Sequence, residues 1–217
     1  MSKQFAIIGM GRFGSSVART LYEMDYEVMG IDENEERINE NIQYVTHAVA
    51  ADSTDERALK EIGIRNFDVV VVAIGVDIQA SILTVLTLKE LGVKKIVAKA
   101  QNERHGQVLY KVGADRVVFP ERDMGVRVAH NLISANVLDF IELADDYSVA
   151  EVVVSSKFVG KNLRQLDIRK NYEVNVIAIK SGDKFNIAPS PDETIQYGDV
   201  LVVIGNNKDL KAFEERA

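Results

Sequence analysis

An α/β fold on a parallel sheet, followed by a smaller α+β module, is predicted by three observations. From residue 4 to about residue 120, apolar runs ending in Gly, Asp or Ala alternate with segments whose apolar residues recur every three or four positions, the pattern of repeated βα units. The run Val69-Val70-Val71-Val72-Ala73-Ile74 has no polar alternation, as a central strand covered by helices on both faces requires. After Pro120 the chain changes to strand-like pieces separated by short helical or turn segments.

Taken in order, a strand is expected at 4–8, then a helix marked by Val17, Leu21 and Met24, and a second strand at 27–31. Strands at 48–51 and 69–73 flank a helix marked by Ala58 and Ile62. Ile82, Leu83, Leu86 and Leu91 mark the helix before a strand at 96–98, and a sixth strand is expected at 116–118. Pro120 opens a helical segment, 122–131, that continues with mixed polarity to about residue 138 and either bridges two lobes or packs on another copy of the chain. Beyond it, strands at 149–154, 174–180 and 200–204 are interrupted by a helical or turn segment at 163–172, and Pro189 and Pro191 bracket a loop. The expected division is a first domain at 1–134 and a second at 135–217, which suits a chain of 217 residues.

Composition excludes several classes. With 26 basic and 33 acidic residues the net charge is −7, and no Lys/Arg-rich run offers the clustered basic face that nucleic acid requires. No cysteine is present, so disulfides, thiolate nucleophiles and Cys-ligated zinc are out, and a cytosolic compartment is permitted. The longest apolar stretch, near 78–88, is well short of a membrane span, and Gly11 and Arg12 cut the N-terminal apolar run before any signal-peptide core. The expectation is a soluble, cytoplasmic protein.

Chemistry concentrates after the first strand. Gly9-Met10-Gly11-Arg12-Phe13-Gly14 follows it directly and opens a helix, the context in which a GxGxxG pattern predicts a nucleotide cradle and a Rossmann-like doubly wound sheet. Gly9 permits the tight turn, Gly11 lets backbone approach a phosphate, and Gly14 lets helix pack on strand. Asp32 ends the second strand, where a carboxylate accepts the hydroxyls of an adenosine ribose. Arg12 projects toward the phosphates and favours a mononucleotide with several of them over a dinucleotide. Asp52 and Ser53 follow the third strand, Gly75 the fourth, Lys99 the fifth, and Glu121 comes just after the sixth. A carboxylate facing phosphates needs a cation between, so Glu121 predicts a bound metal. His47, His105 and His130 are scattered, and no P-loop or GxSxG pattern occurs, so no catalytic constellation is expected.

The glycine motif, Asp32, Gly63-Ile64-Arg65-Asn66-Phe67-Asp68, Ile78-Gln79-Ala80-Ser81-Ile82-Leu83-Thr84, Lys89-Glu90-Leu91-Gly92 and Pro120-Glu121-Arg122-Asp123-Met124-Gly125 together resemble one family over nearly the whole chain. It is that of the KtrA/KtrC-type subunits, cytosolic regulators of Ktr potassium-uptake systems built from RCK N-terminal (TrkA-N) and RCK C-terminal (TrkA-C) domains. The resemblance implies a non-enzymatic octameric ring of dimers, held at the inner face of the membrane beneath a potassium-translocating subunit. ATP and ADP would compete for the N-terminal domain and switch the ring's shape. Asp32 would hold the ribose, Gly11 and Arg12 would face the phosphates with Arg12 on the terminal one, and Glu121 would bind a divalent or sodium cation. Gly75 and Lys99 match family positions that line the nucleotide, whereas the position of Asp52 varies. The resemblance also implies cyclic di-AMP at a C-terminal dimer interface, on Asp167, Ile168, Arg169, Asn175, Val176 and Pro191. There Glu173 and Val176 stand where the family pattern has Gly and Ile. The alternative left by the residues themselves is an NAD(H)-binding redox sensor or dehydrogenase-like protein.

Overall fold

Six parallel strands make the first sheet, in the spatial order third, second, first, fourth, fifth and sixth by position along the chain. The computed structural model describes residues 3–133, 137–144 and 146–216. The chain divides into two units, one ending at Glu121 and the other beginning at Arg122. In the first, β1 (Gln4–Ile8), α1 (Arg12–Glu23), β2 (Glu27–Asp32), α2 (Glu35–Asn41), β3 (His47–Ala50) and α3 (Glu56–Ile62) precede β4 (Val69–Val72). Then come α4 (Ile78–Glu90), β5 (Ile96–Lys99), α5 (Glu103–Val112) and β6 (Arg116–Val118).

Strand side chains alternate between two cores, as a period of two demands. Ala6, Ile8, Val70 and Val72 pack with Leu59, Leu88 and Leu109 on one face. Ile7, Val28 and Val71 pack with Ala18 and Ile38 on the other. Both faces are therefore covered, and the carboxyl edge of the strands offers a rim for a ligand, where connections leave in opposite directions from β1 and β4.

The second unit holds a five-stranded antiparallel sheet, in the spatial order tenth, ninth, eleventh, eighth and seventh by position along the chain. The long helix α6 (Pro120–Ile133) is followed by β7 (Val137–Ala144), β8 (Tyr147–Val153), α7 (Leu163–Leu166) and α8 (Ile168–Tyr172). β9 (Asn175–Ser181), β10 (Lys184–Ile187), β11 (Val200–Asn206) and α9 (Asn207–Glu214) complete it. Its core gathers Val152, Leu201 and Val203 around Phe158 and Phe213, whose rings lie 5.9 Å apart.

Three elements differ from the sequence expectation. The helix opened by Pro120 ends at Ile133, and Val137 already begins a strand. Val137, Leu138, Phe140, Ile141 and Leu143 satisfy helical and strand spacing alike, so periodicity could not choose between them. β10 and α9 were not anticipated either: β10 is exposed along its length, and α9 is a short helix following β11 directly. The unit division at 121/122 also places most of α6 with the second unit, whereas the expected domain boundary lies after residue 134.

Candidate nucleotide-binding cleft

The loop after β1 is shaped by two glycines and left open by a third. Gly9 has φ +94°, and its N–H donates to the Ile31 carbonyl at 2.7 Å. A Cβ on Gly14 would lie 1.8 Å from the Gly9 carbonyl oxygen, so the helix packs this close only without a side chain. A Cβ on Gly11 would meet no other atom of the chain within 4 Å. The fold thus has no steric need for glycine at Gly11, and that opening fits close approach by a ligand.

Gly11 is also the N-cap of α1, and it supplies no side-chain cap. The next four helices are capped by Asn34, Asp55, Asp77 and Asn102, whose side chains accept N–H groups of the first turn. At α1 the first-turn N–H groups lack that partner, and no acidic residue lies in the turn, which leaves the positive end of the helix dipole to an anion.

Asp32, at the end of β2, is buried and fixed from two sides. Its Oδ2 accepts the Met10 N–H at 2.7 Å and its Oδ1 accepts the Asn34 N–H at 2.9 Å. The same carboxylate therefore orients the glycine loop and presents its remaining lone pairs to the cleft. Arg37, in the first turn of α2, places Nη1 3.5 Å from Oδ2 of Asp32. It also lines the cleft, though sequence reasoning passed over it. An arginine one turn into the helix after a strand-end aspartate is the signal that could have found it.

At the other end, Lys99 Nζ donates to Glu121 Oε1 at 2.6 Å. The lysine side chain is 11% exposed and the glutamate 70%. The hydrogen bond from Lys99, helped by the charges of Lys99 and Arg12, holds the Glu121 carboxyl below the ordinary glutamate value. The Phe13 ring centroid lies 5.7 Å from Nζ, and a Cβ on Gly75 would come within 3.2 Å of it, so Gly75 makes room for the ammonium group. Gln101, another residue missed from sequence, fastens this wall by donating its amide to the Gly75 and Val76 carbonyls. Lys99 thus places a positive charge directly beside Glu121, the residue expected from sequence to bind a metal. Among the described residues no group of three His, Asp or Glu side chains could hold a metal.

Asp52 and Ser53 stand at the end of β3. Asp52 Oδ1 accepts both the N–H and the hydroxyl of Thr54, which lower its carboxyl from the usual value. Ser53 Oγ pairs with Thr84 Oγ1 at 2.9 Å in a buried contact. All eleven positions expected from sequence belong to this carboxyl edge, and all but Gly14 line one cleft of about 1390 Å³. His47 lies on β3 and His105 is buried on α5, and neither lines it.

Comparison with known proteins gives the family. The family model of the TrkA-N domain matches residues 5–120, and that of the TrkA-C domain matches residues 149–217. The chain belongs to the TrkA-N/TrkA-C family. The Ktr system potassium uptake protein C of Bacillus subtilis (strain 168) is 51% identical over 216 residues, covering 100% of this chain and 98% of that protein. Protein A of the same system and organism is 47% identical over 213 residues, covering 98% of this chain and 96% of that protein. These matches bear out the KtrA/KtrC-type resemblance. The solved structure of the GsuK channel bound to NAD superposes with a TM-score of 0.66 at 18% identity, covering 99% of this chain and 39% of that one. It supports the same RCK fold.

In the TrkA-C portion, the six residues expected to take a second ligand have mixed surroundings. Asp167 joins α7 to α8 with φ +40°, and Arg169 follows in α8. Ile168 is 4% exposed and packs in the core, so within one chain it serves packing and not an open wall. Asn175 and Val176 begin β9, with Val176 partly packed on the same core. Pro191 accepts the Arg164 N–H at 2.7 Å beside the Arg164–Asp192 ion pair.

Proposed function

We propose that this chain is a nucleotide-sensing, non-catalytic regulatory subunit of a Ktr-type potassium uptake system, working in the cytoplasm against a membrane-embedded translocating subunit. The observation that carries the reading is the uncapped N-terminus of α1, with Arg12 at its first position, opening on the same cleft as Asp32 and the Lys99–Glu121 pair. Asp32 suits the ribose hydroxyls, the α1 N–H groups suit the first phosphates, and Arg12 and Lys99 suit the end of a polyphosphate tail.

ATP and ADP differ there by one phosphate, so Arg12 is the residue able to tell them apart. If two arrangements of an octameric ring differ in how they present Arg12 to a γ-phosphate, each nucleotide favours a different arrangement by its difference in binding free energy, and that bias reaches the membrane partner. A cation at Glu121 would enter this scheme by displacing Lys99, which then becomes available to phosphate. Cyclic di-AMP on the TrkA-C portion, through Arg169 and Asn175 of paired copies, would be a second input. Full-length similarity to Ktr system potassium uptake proteins supports the partner assignment.

A second reading, an NAD(H)-binding redox sensor, draws on Asp32, since a carboxylate reads an unphosphorylated ribose equally well in a dinucleotide. Calorimetry with ATP, ADP, NAD and NADH separates the two. ATP and ADP are expected to bind more tightly than either dinucleotide, and tighter NADH binding would reverse the assignment. Arg12→Ala is expected to lower ATP affinity about tenfold while sparing ADP; equal losses for both would remove Arg12 from the sensing role.

A further inference from the structure

Arg37 carries a charge that the proposed function leaves unused. Its side chain is half exposed, it lines the cleft, and its Nη1 lies 3.5 Å from Oδ2 of the buried Asp32. Asp32 cannot rotate away from this contact without giving up the N–H groups of Met10 and Asn34. Open parallel sheets treat the 2′ position of an adenosine ribose in one of two ways: a carboxylate accepts from the free hydroxyl, or an arginine takes a 2′-phosphate. This chain holds both groups in contact.

We infer that Arg37 is a specificity-determining residue of the cleft. Paired with Asp32, it sets the site for a ribose with a free 2′-hydroxyl, and it becomes the receptor for a 2′-phosphate once the charge of Asp32 is removed. The physical basis is charge balance. An anionic nucleotide approaching a buried, unpaired carboxylate would be repelled, whereas the Asp32–Arg37 pair presents no net charge at the sugar end. A 2′-phosphate would be attracted by the guanidinium but pressed against a carboxylate that two backbone N–H bonds hold in place. In the strand order, β2 and β5 are separated by β1 and β4, so the ends carrying Asp32 and Lys99 lie roughly 14 Å apart. Effects at Arg37 are therefore separable from those at the phosphate tail. The inference rests on the nucleotide reading of the cleft.

The test titrates the full chain with AMP and with adenosine 2′,5′-bisphosphate, which differ only by the 2′-phosphate. Wild type is expected to prefer AMP, and Arg37→Ala to weaken AMP about tenfold. Asp32→Asn is expected to bind the bisphosphate about tenfold more tightly than wild type does, and the double variant to lose that gain. Should Asp32→Asn fail to fold, Asp32→Ser serves in the same comparison. AMP binding unchanged in Arg37→Ala overturns the inference, as does a bisphosphate gain that survives loss of Arg37. In both cases the nucleotide reading stands, because wild type still binds AMP. A wild type that takes no adenine nucleotide overturns both.

Discussion

The two units handle backbone conformation differently. Among the described residues of the first, left-handed positions fall on Gly9, Gly63, Gly92 and Gly113, with Asp25 the one residue of another type. In the second, Asp167, Glu173 and Ala188 share that region with Gly160, Gly182 and Gly198. A non-glycine residue there costs roughly 1–2 kcal/mol. The first unit thus matches residue type to backbone need at almost every turn, while the other tolerates strain at the ends of α8 and β10. Buried polar groups show the opposite bias. Asp199 in the second unit accepts from Ser181 Oγ at 2.6 Å and from the Gln196 N–H at 2.8 Å. In the first, His105 Nε2 is buried without a partner.

The sharpest way to break the comparison is Gly14→Ala, which places a methyl group inside the contact radius of the Gly9 carbonyl. A loss of about 3 kcal/mol or more in the first unit is expected, read by denaturant unfolding; a loss under about 1 kcal/mol would mean that the loop accommodates side chains as readily as the second unit does.

Next in size is a pH effect. Desolvation holds the imidazole of His105 below its ordinary value of 6.5. The unfolded chain therefore binds the proton more readily, and stability falls as pH drops below about 6.5, by at most about 1.4 kcal/mol per pH unit for this group. Hydrogen exchange at pH 7 and pH 5.5 should show the weakening in the first unit, and His105→Gln should flatten it. A slope unchanged in the variant would assign the effect elsewhere.

The smallest expected change is a gain. Glu173→Gly relieves φ +57° at the end of α8 and should stabilise the second unit by about 0.5–1 kcal/mol after the added chain entropy of glycine. A neutral or negative result in a melting experiment would show that Glu173 makes a compensating contact.

Much of the first unit was legible in the sequence because a parallel sheet imposes its own punctuation. Continuous apolar runs mark doubly covered strands, and ligand-facing groups must stand at their carboxyl ends, which located Asp32, Lys99 and Glu121. What escaped was tertiary. Arg37 reaches the cleft from α2, Gln101 braces its wall from the segment after β5, and neither residue type signals a site by spacing. The Lys99–Glu121 pair was not read from the chain, since the two residues meet only when β5 and the start of α6 are brought together. In the second unit β7 escaped because its apolar residues fit two periods, and β10 because an exposed strand has no alternation to detect.

The glycine that begins α1 leaves this helix to be completed by something other than protein. A bound anion would supply the missing cap, so occupancy should firm up the helix that backs the sheet as well as fill the cleft. The thermal tolerance of the folded chain would then follow the concentration of that anion, making the resistance of this segment to proteolysis a gauge of how much of it is present.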